Sequence, residues 1–266
     1  MVGVAMRRRL DLELVRRGLV DTRARASEAI AAGRVLVDGA PADRPARQVS
    51  PAEQVTVRGE PPRFVSRGGE KLDAALATFP IAVEGRRALD VGASTGGFSD
   101  CLLQHGAAHV YAVDVGRGQL AWSLRGDPRV TLLERTNARG LEPGAIDGPV
   151  PLAVADVSFI SLRTVAPALA RVTTPDADLV LLAKPQFEAG RGRVPRGGVV
   201  RDAAVHADVL RTLAVGLEEE GLPVVAATAS PLLGADGNRE FLLWVRRGQP
   251  AAEPAAVAAL AEEAAR

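Results

Sequence analysis

The chain has 266 residues, 47% hydrophobic and 24% charged, which supplies a large core and excludes wholesale disorder. Its 33 basic and 32 acidic residues leave a net charge of +1. A single cysteine, Cys101, excludes an internal disulfide or a zinc site built from cysteines. The longest apolar runs, such as residues 179–183, fall far short of the roughly 20 residues that span a bilayer. The opening MVGVAMRRRLD puts its charges after the apolar stretch, the reverse of a secretory signal. The expectation is a cytoplasmic protein without a membrane partner.

The basic residues are almost all arginine; only Lys71 and Lys184 are lysines. In a chain this rich in Ala, Gly, Val, Pro and Arg, arginine stands wherever plain positive charge suffices. An amine can lose its proton near neutrality and a guanidinium cannot, so the two lysines become candidates for proton chemistry. The plain alternative is chance survival.

Residues 1–60 read as a separate small module. Leu10, Leu14, Val15 and Leu19 recur at helical spacing, and a second helix is expected over residues 23–32, closed by Gly33. Val35-Leu36-Val37 runs into Asp38-Gly39, a hairpin signal, and Val49, Val55 and Val57 supply further strand material. Arg7, Arg8, Arg9, Arg16, Arg17, Arg23 and Arg25 crowd the two helices. By themselves they read equally as a solvated helix face. The whole stretch of residues 9–57 nevertheless resembles an S4 RNA-binding domain, down to the G-R-V-L-V-D-G hairpin and the late Arg44-Pro45. That resemblance implies an α+β fold whose seven arginines grip RNA phosphates. With few aromatics nearby, base stacking on this module is not expected.

A composition break at residues 59–63 marks a linker, placed at 61–66. From residue 64 onward apolar runs alternate with helical patterns, which predicts a mainly parallel α/β sheet. Strands are expected at residues 87–91, 109–114, 130–134, 152–156, 179–183, 224–228 and 241–245. The larger domain is bounded at 67–250, and the Ala/Glu-rich tail at 251–266 is expected to be helical after Pro254.

Residues 87–98 have the form strand, glycine turn, helix start, with Gly92, Gly96 and Gly97 in the turn. Neither the G-x-G-x-x-G dinucleotide fingerprint nor the G-x-x-x-x-G-K-[ST] phosphate loop is met. Asp114 closes the next strand, where an acid can accept hydrogen bonds from both hydroxyls of a ribose, or simply cap the strand end. Together D-V-G-A-S-T-G-G-F and V-D-V-G resemble a class I methyltransferase site for S-adenosyl-L-methionine.

Lys71 precedes an expected stripe of Leu72, Ala75, Leu76 and Phe79, and Lys184 follows the apolar run of residues 179–183. Asp156 ends one strand and Glu240 opens the last. With V-S-R-G-G-E-K-L, A-D-V-S-F-I-S-L and K-P-Q-F-E-A-G in place, residues 64–246 resemble the FtsJ-type 2'-O-ribose methyltransferases. Together with the S4 module they resemble the TlyA (haemolysin A-type) rRNA methyltransferase family.

The resemblance implies a class I Rossmann-like sheet of about seven strands with helices on both faces. It implies a catalytic tetrad of Lys71, Asp156, Lys184 and Glu240, in which a lysine deprotonates the ribose 2'-hydroxyl. Lys184 is taken as that base and Lys71 as its neighbour, with exchange of the two roles left open. Further carry-over puts Gly92, Ala93, Ser94, Thr95, Gly96 and Phe98 around the methionine part of the cofactor. Asp114 is expected on the ribose, Asn137 near the adenine and Phe159 against the cofactor or in the core. The substrate it implies is a cytidine in ribosomal RNA of both the 30S and the 50S subunit. Residues 1–6 and the tail favour the dual-substrate type, and the protein is expected to act as a monomer.

Where some family members carry R-x-W-V between the domains, this chain reads Pro62-Arg63-Phe64-Val65, which leaves linker signalling open. Residues 184–201 hold Arg191, Arg193, Arg196 and Arg201 among glycines and prolines. They read as a mobile basic loop beside the site, either solvated or a second RNA contact. A pore-former lacks the necessary apolar segment, and a dead methyltransferase has no need to keep two amines. Pseudouridine synthases with S4 modules lack the glycine loop.

Overall fold

The computed structural model describes residues 7–20, 22–59, 62–234 and 236–263. The chain divides into two compact units, Met1–Arg63 with Ala121–Ser123, and Phe64–Leu120 with Leu124–Arg266. Residues 1–6 therefore lie outside the described part. Among the described residues, no helix is long and apolar enough to cross a membrane.

In the N-terminal unit, β1 (Arg8–Arg9) leads into α1 (Leu10–Arg16) and α2 (Arg23–Ala31). Four short strands follow, β2 (Val35–Val37), β3 (Ala40–Pro41), β4 (Gln48–Val49) and β5 (Val55–Val57). β1 pairs antiparallel with β4, and β2 lies between β3 and β5. Thr22 caps α2 by accepting from the Arg25 amide at 3.2 Å. Leu10, Leu14, Ile30, Val35 and Val37 form the core.

Two acids sit inside this small unit, Asp11 and Glu13, each only 1% exposed. Arg9 meets Asp11 with a two-pronged contact, Nε at 3.0 Å and Nη2 at 2.9 Å, and Arg23 Nε donates to it at 2.8 Å. Arg16 makes the same fork on Glu13 at 2.7 and 2.6 Å, and Arg17 adds a third bond at 2.8 Å. Arg17 also donates to the carbonyls of Glu53 at 2.8 Å and Ser50 at 3.1 Å. Its guanidinium thus ties α1 to the loop before β5, a role in the fold that the sequence reading did not give it.

The Arg9 bonds hold the Asp11 carboxyl at about 2, and the Arg16 bonds hold Glu13 at about 2. Both acids are more acidic folded than unfolded. Their stabilisation is therefore complete above about pH 4.5, their ordinary range, and is lost as pH falls towards 2. Denaturation of the chain should show this unit weakening across that window. Glu13→Gln should remove part of the effect and lower the unit's stability at neutral pH by about 1.5–3 kcal/mol.

The larger unit opens with α3 (Arg67–Thr78), β6 (Arg87–Val91), α4 (Gly97–Gln104) and β7 (His109–Val113). Then come α5 (Trp122–Arg125), whose first two residues are assigned to the N-terminal unit, β8 (Val130–Leu133), β9 (Val150–Ala155), α6 (Leu162–Val172) and β10 (Thr173–Ala183). It ends with α7 (Pro185–Glu188), α8 (Ala203–Glu218), β11 (Val224–Ala229), β12 (Phe241–Arg246) and α9 (Pro254–Glu263). The seven strands form one mixed sheet in the order β11-β12-β10-β9-β6-β7-β8. β10, β9, β6, β7 and β8 run parallel, while β12 is antiparallel to both β10 and β11. The chain leaves β6 for β7 on one side and later returns to β9 on the other. The crevice above β6 and β9 is thus a topological switch point, where α/β sheets bind ligands.

All seven expected strands are present. β10 is longer than expected, starting at Thr173, with an irregular register between Thr173 and Asp178. The polar, proline-containing TTPDAD opening hides this start in the sequence. Arg247 secures it, Nη1 donating to the carbonyls of Ala170 at 2.7 Å and Thr173 at 2.6 Å.

Three expectations about chain organisation are corrected. Phe64 and Val65, read as linker, belong to the larger unit: Phe64 is buried against Gly69 of α3, and the Val65 amide donates to Asp100 of α4 at 2.7 Å. The tail is not separate, because Val257 and Ala261 of α9 are buried in the main core. The segment after Lys184 is not a loose loop. It forms α7, and Glu188 accepts from Ser161 Oγ at 2.5 Å and the Leu162 amide at 2.8 Å. Arg193 is ion-paired with Asp208, and Val200 is buried.

Candidate active site

At the C-terminal end of β6 the backbone turns through Gly92, at φ +82°, and the next residues lead to α4. A Cβ on Gly92 would stand 2.4 Å from the Asp156 carbonyl oxygen, so only glycine lets the loop pack against the end of β9. The Asp114 carboxylate, at the end of β7, closes this loop. Its Oδ2 accepts from the Ser94 amide at 2.7 Å and its Oδ1 from the Gly116 amide at 2.6 Å.

A cavity of about 320 Å³ opens over this corner, a size suited to a small cofactor. Gly92, Ser94, Asp114, Gln119, Asn137, Asp156, Ser158 and Phe159 are among its lining residues. Two carboxylates, Asp114 and Asp156, the polar side chains of Ser94, Gln119 and Asn137, and an apolar wall from Val91, Val113 and Ile160 suit a nucleoside joined to an amino acid. The residues present fit S-adenosyl-L-methionine.

Beside the cavity stand two ammonium–carboxylate pairs. Lys184 follows β10, and its Nζ lies 2.5 Å from Asp156 Oδ1 and donates to Ser158 Oγ at 2.9 Å. Lys71, in the second turn of α3, places Nζ 2.5 Å from Glu240 Oε2. Phe241 pairs with Ala183 across the antiparallel β10–β12 ladder, so Glu240 and Lys184 are the next residues of the two strands. Asp156, Lys184 and Glu240 therefore stand at neighbouring strand ends.

Lys71 reaches them because α3 and α4 approach closely. A Cβ on Gly97 would lie 2.2 Å from Ser66 Oγ and 2.8 Å from the Gly69 nitrogen. A Cβ on Gly69 would run into Phe64 at 2.3 Å. The Gly-Gly of the V-S-R-G-G-E-K run is thus a packing requirement that seats Lys71.

The structure pairs Lys184 with Asp156 and Lys71 with Glu240, and Gly92, Ser94, Asp114, Asn137 and Phe159 line the cavity. The side chain of Asn137 is occupied as a cap, accepting from the Arg139 amide at 3.1 Å. Phe159 is 87% exposed at φ +68°, its ring 5.2 Å from Phe187, so it is a rim residue rather than a core aromatic. Ala93, Thr95, Gly96 and Phe98 shape the loop without lining the cavity, and Phe98 is buried towards Gly68.

The sequence reading missed Gln119 and Thr136, which carry no motif signal, and Ser158, which stands inside the quoted A-D-V-S-F-I-S-L run. The sequence reading gave no role to Asp90, the first residue of the D-V-G-A-S-T-G-G-F run. Asp90 is fully buried, one oxygen accepting from Ser99 Oγ at 2.7 Å and the other without a hydrogen-bond partner among the described residues. Elsewhere Asp73, Cys101 and His105 offer donor atoms within 4.8 Å of one another. There His105 Nε2 lies 2.7 Å from Asp73 Oδ1, a contact that braces α3 on α4.

Residues 64–247 match the FtsJ-like methyltransferase family and residues 8–55 match the S4 domain. Over 244 residues, 91% of each chain, the sequence is 57% identical to the 16S/23S rRNA (cytidine-2'-O)-methyltransferase TlyA of Mycobacterium tuberculosis. It is 31% identical over 182 residues, 68% of this chain and 70% of the relative, to the 23S rRNA (cytidine-2'-O)-methyltransferase TlyA of Campylobacter jejuni. A solved structure from Streptococcus thermophilus, titled as a hemolysin, is 39% identical. It covers 98% of this chain and 96% of its own, with a TM-score of 0.78.

Asp90 gives the site a pH signature. Burial pushes its carboxyl up to about 7, with the nearby Asp156 charge adding to the shift. Its folded value lies above its unfolded one, so its contribution is most favourable below about pH 4 and declines as pH rises through about 7. Asp90→Asn should flatten this decline. Melting curves of wild type and variant between about pH 4 and 8 check it, and parallel curves would refute the assignment.

Proposed function

Because the chain belongs to the FtsJ-like methyltransferases of the TlyA type, we propose that it methylates the 2'-oxygen of a cytidine in ribosomal RNA, with S-adenosyl-L-methionine as donor. The observation that carries this reading is the meeting of Lys184–Asp156 and Lys71–Glu240 beside the Gly92–Asp114 cavity.

When bound, S-adenosyl-L-methionine supplies a methyl group activated on a sulfonium. Gly92 and Ser94 would border its amino-acid end, Asp114 would hold the ribose hydroxyls, and Asn137 and Phe159 would border the base. Lys184 is assigned as the general base. Its partners Asp156 and Ser158 both line the cavity, whereas Lys71 and its partner Glu240 do not. As the free amine, Lys184 Nζ would take the proton of the 2'-hydroxyl and leave its oxygen nucleophilic. Lys71, held by Glu240, sets positive charge against the developing alkoxide.

RNA is gripped by phosphate contacts. Arg7 and Arg8 are exposed, and Arg16 and Arg23 keep about half of their side chains free while bonded to Glu13 and Asp11. Arg9 and Arg25 flank them, and Arg193 and Arg196 add charge beside the catalytic unit; the Arg191 side chain lies outside the described residues. Both the 30S and 50S subunits are proposed as substrates, following the name of the 57% relative rather than that of the Campylobacter jejuni protein. The enzyme is proposed to act in the cytoplasm as a monomer.

Lys184→Arg keeps the charge but substitutes a guanidinium with a pKa above about 12, which cannot accept the proton near neutrality. It should fold, retain cofactor affinity and lose methyl transfer by about 100-fold or more, measured with labelled donor on ribosomal subunits. Near wild-type rates would refute Lys184 as the base.

Asp114→Ala should weaken cofactor binding by about 10- to 100-fold, the loss of hydrogen bonds to a charged group. Calorimetric titration of S-adenosyl-L-methionine measures it, and unchanged affinity would move the cofactor elsewhere.

A further inference from the structure

Asn238 is a polar residue that the catalytic reading leaves unused, and it is only 1% exposed. Its side chain is fully engaged with the root of the arginine-bearing segment. The Val200 amide donates to Oδ1 at 2.9 Å, and Nδ2 donates to the Gly198 carbonyl at 3.0 Å. A side-chain amide sets a donor group and an acceptor in a single plane, matched here to a carbonyl and an N–H two residues apart. A carboxylate lacks the donor, and a hydroxyl cannot span both groups.

Val200 is held from its other end as well. His206 Nε2 lies 3.0 Å from the Val200 carbonyl, which can only accept, so this nitrogen carries the proton. His206 is 3% exposed, and burial lowers its pKa.

The other side of Asn238 leads to the catalytic pair. Its carbonyl accepts from the Gly234 amide at 2.8 Å, and Glu240 is two residues further along the chain. A Cβ on Gly234 would lie 2.5 Å from Glu240 Oε1, so the Glu240 carboxylate rests directly on this turn. Through its side chain on one side and its main-chain carbonyl on the other, Asn238 thus joins the base of the segment bearing exposed Arg196 to the turn on which Glu240 rests.

We propose that Asn238 is a positioning residue that registers the Arg196 segment with the Lys71–Glu240 pair, so that RNA held by the segment meets the amines in reacting geometry. The proposal rests on the RNA methyl-transfer reading above. Asn238 touches neither substrate nor cofactor; it acts through Val200 and Gly198 on one side and Glu240 on the other.

The test is a double-mutant cycle of Asn238→Ala and Arg196→Ala in the full chain, with a ribosomal RNA fragment as ligand. In the wild-type background Arg196→Ala should lower the slope of log affinity against log salt by about 1, one phosphate contact. In the Asn238→Ala background the same change should have almost no effect. Asn238→Ala alone should lower kcat about tenfold or more, because small misplacements at the reacting centre are costly, while cofactor affinity stays unchanged. If Asn238→Ala does not fold, Asn238→Ser serves. It keeps an acceptor for Val200 and loses the donor to Gly198, and the same outcomes are expected.

Additive effects of the two substitutions, or an unaltered kcat, would overturn the proposal and leave Asn238 as an ordinary structural amide. An unchanged salt slope for Arg196→Ala in the wild-type background would also overturn it. Failure of the wild-type chain to bind or methylate RNA would instead refute the functional reading itself.

Discussion

A buried ammonium group needs a carboxylate in contact with it, and the larger unit is arranged around two such contacts. Lys71 and Glu240 are 169 residues apart in sequence and meet at 2.5 Å almost out of solvent. For that to happen, α3 must lie close on α4, which the Gly69–Gly97 approach allows. β12 must also run antiparallel to β10, so that Glu240 enters beside Lys184. The parallel strands β9 and β10 then bring Asp156 to the other lysine. Removing one member of a buried pair typically costs about 3–5 kcal/mol, so this constraint is felt by the fold as well as by the chemistry.

The N-terminal unit solves the opposite problem with the same residue types. Its arginines are numerous, and unpaired they would repel one another. Burying Asp11 and Glu13 beneath them draws Arg9, Arg16, Arg17 and Arg23 into fixed, forked contacts. The positive surface is thereby shaped before any RNA arrives, and this lowers the entropy lost on binding. Arg17, largely buried, contributes to that shape rather than to the outer face.

Much of this architecture was legible in the sequence because its signals are local. Parallel strands buried on both faces, such as β6, β9 and β10, read as continuous apolar runs, and the two antiparallel strands β11 and β12 were legible from similar runs. The lysines stood out against an arginine background, and the glycine loop and Asp114 follow the strand ends directly. What escaped was set by tertiary contact. Asp90 looks like a surface acid until the helix behind the loop closes over it. Phe64 and Val65 read as linker because nothing nearby shows that Gly69 leaves a socket and Asp100 an acceptor. The Arg193–Val200 segment reads as a loose loop because its anchors, Asp208, His206 and Asn238, are contributed by elements further along the chain.

The central claim is that these paired lysines activate a ribose hydroxyl rather than a base nitrogen or carbon. The identity of the methylated nucleoside tests it most directly. Ribosomal subunits incubated with the protein and methyl-labelled S-adenosyl-L-methionine are digested to nucleosides and resolved by mass spectrometry. The account predicts that the label is recovered as 2'-O-methylcytidine, in RNA that resists alkaline cleavage at the modified position. Label in a base-methylated nucleoside would contradict it, and so would RNA that remains alkali-labile at that position.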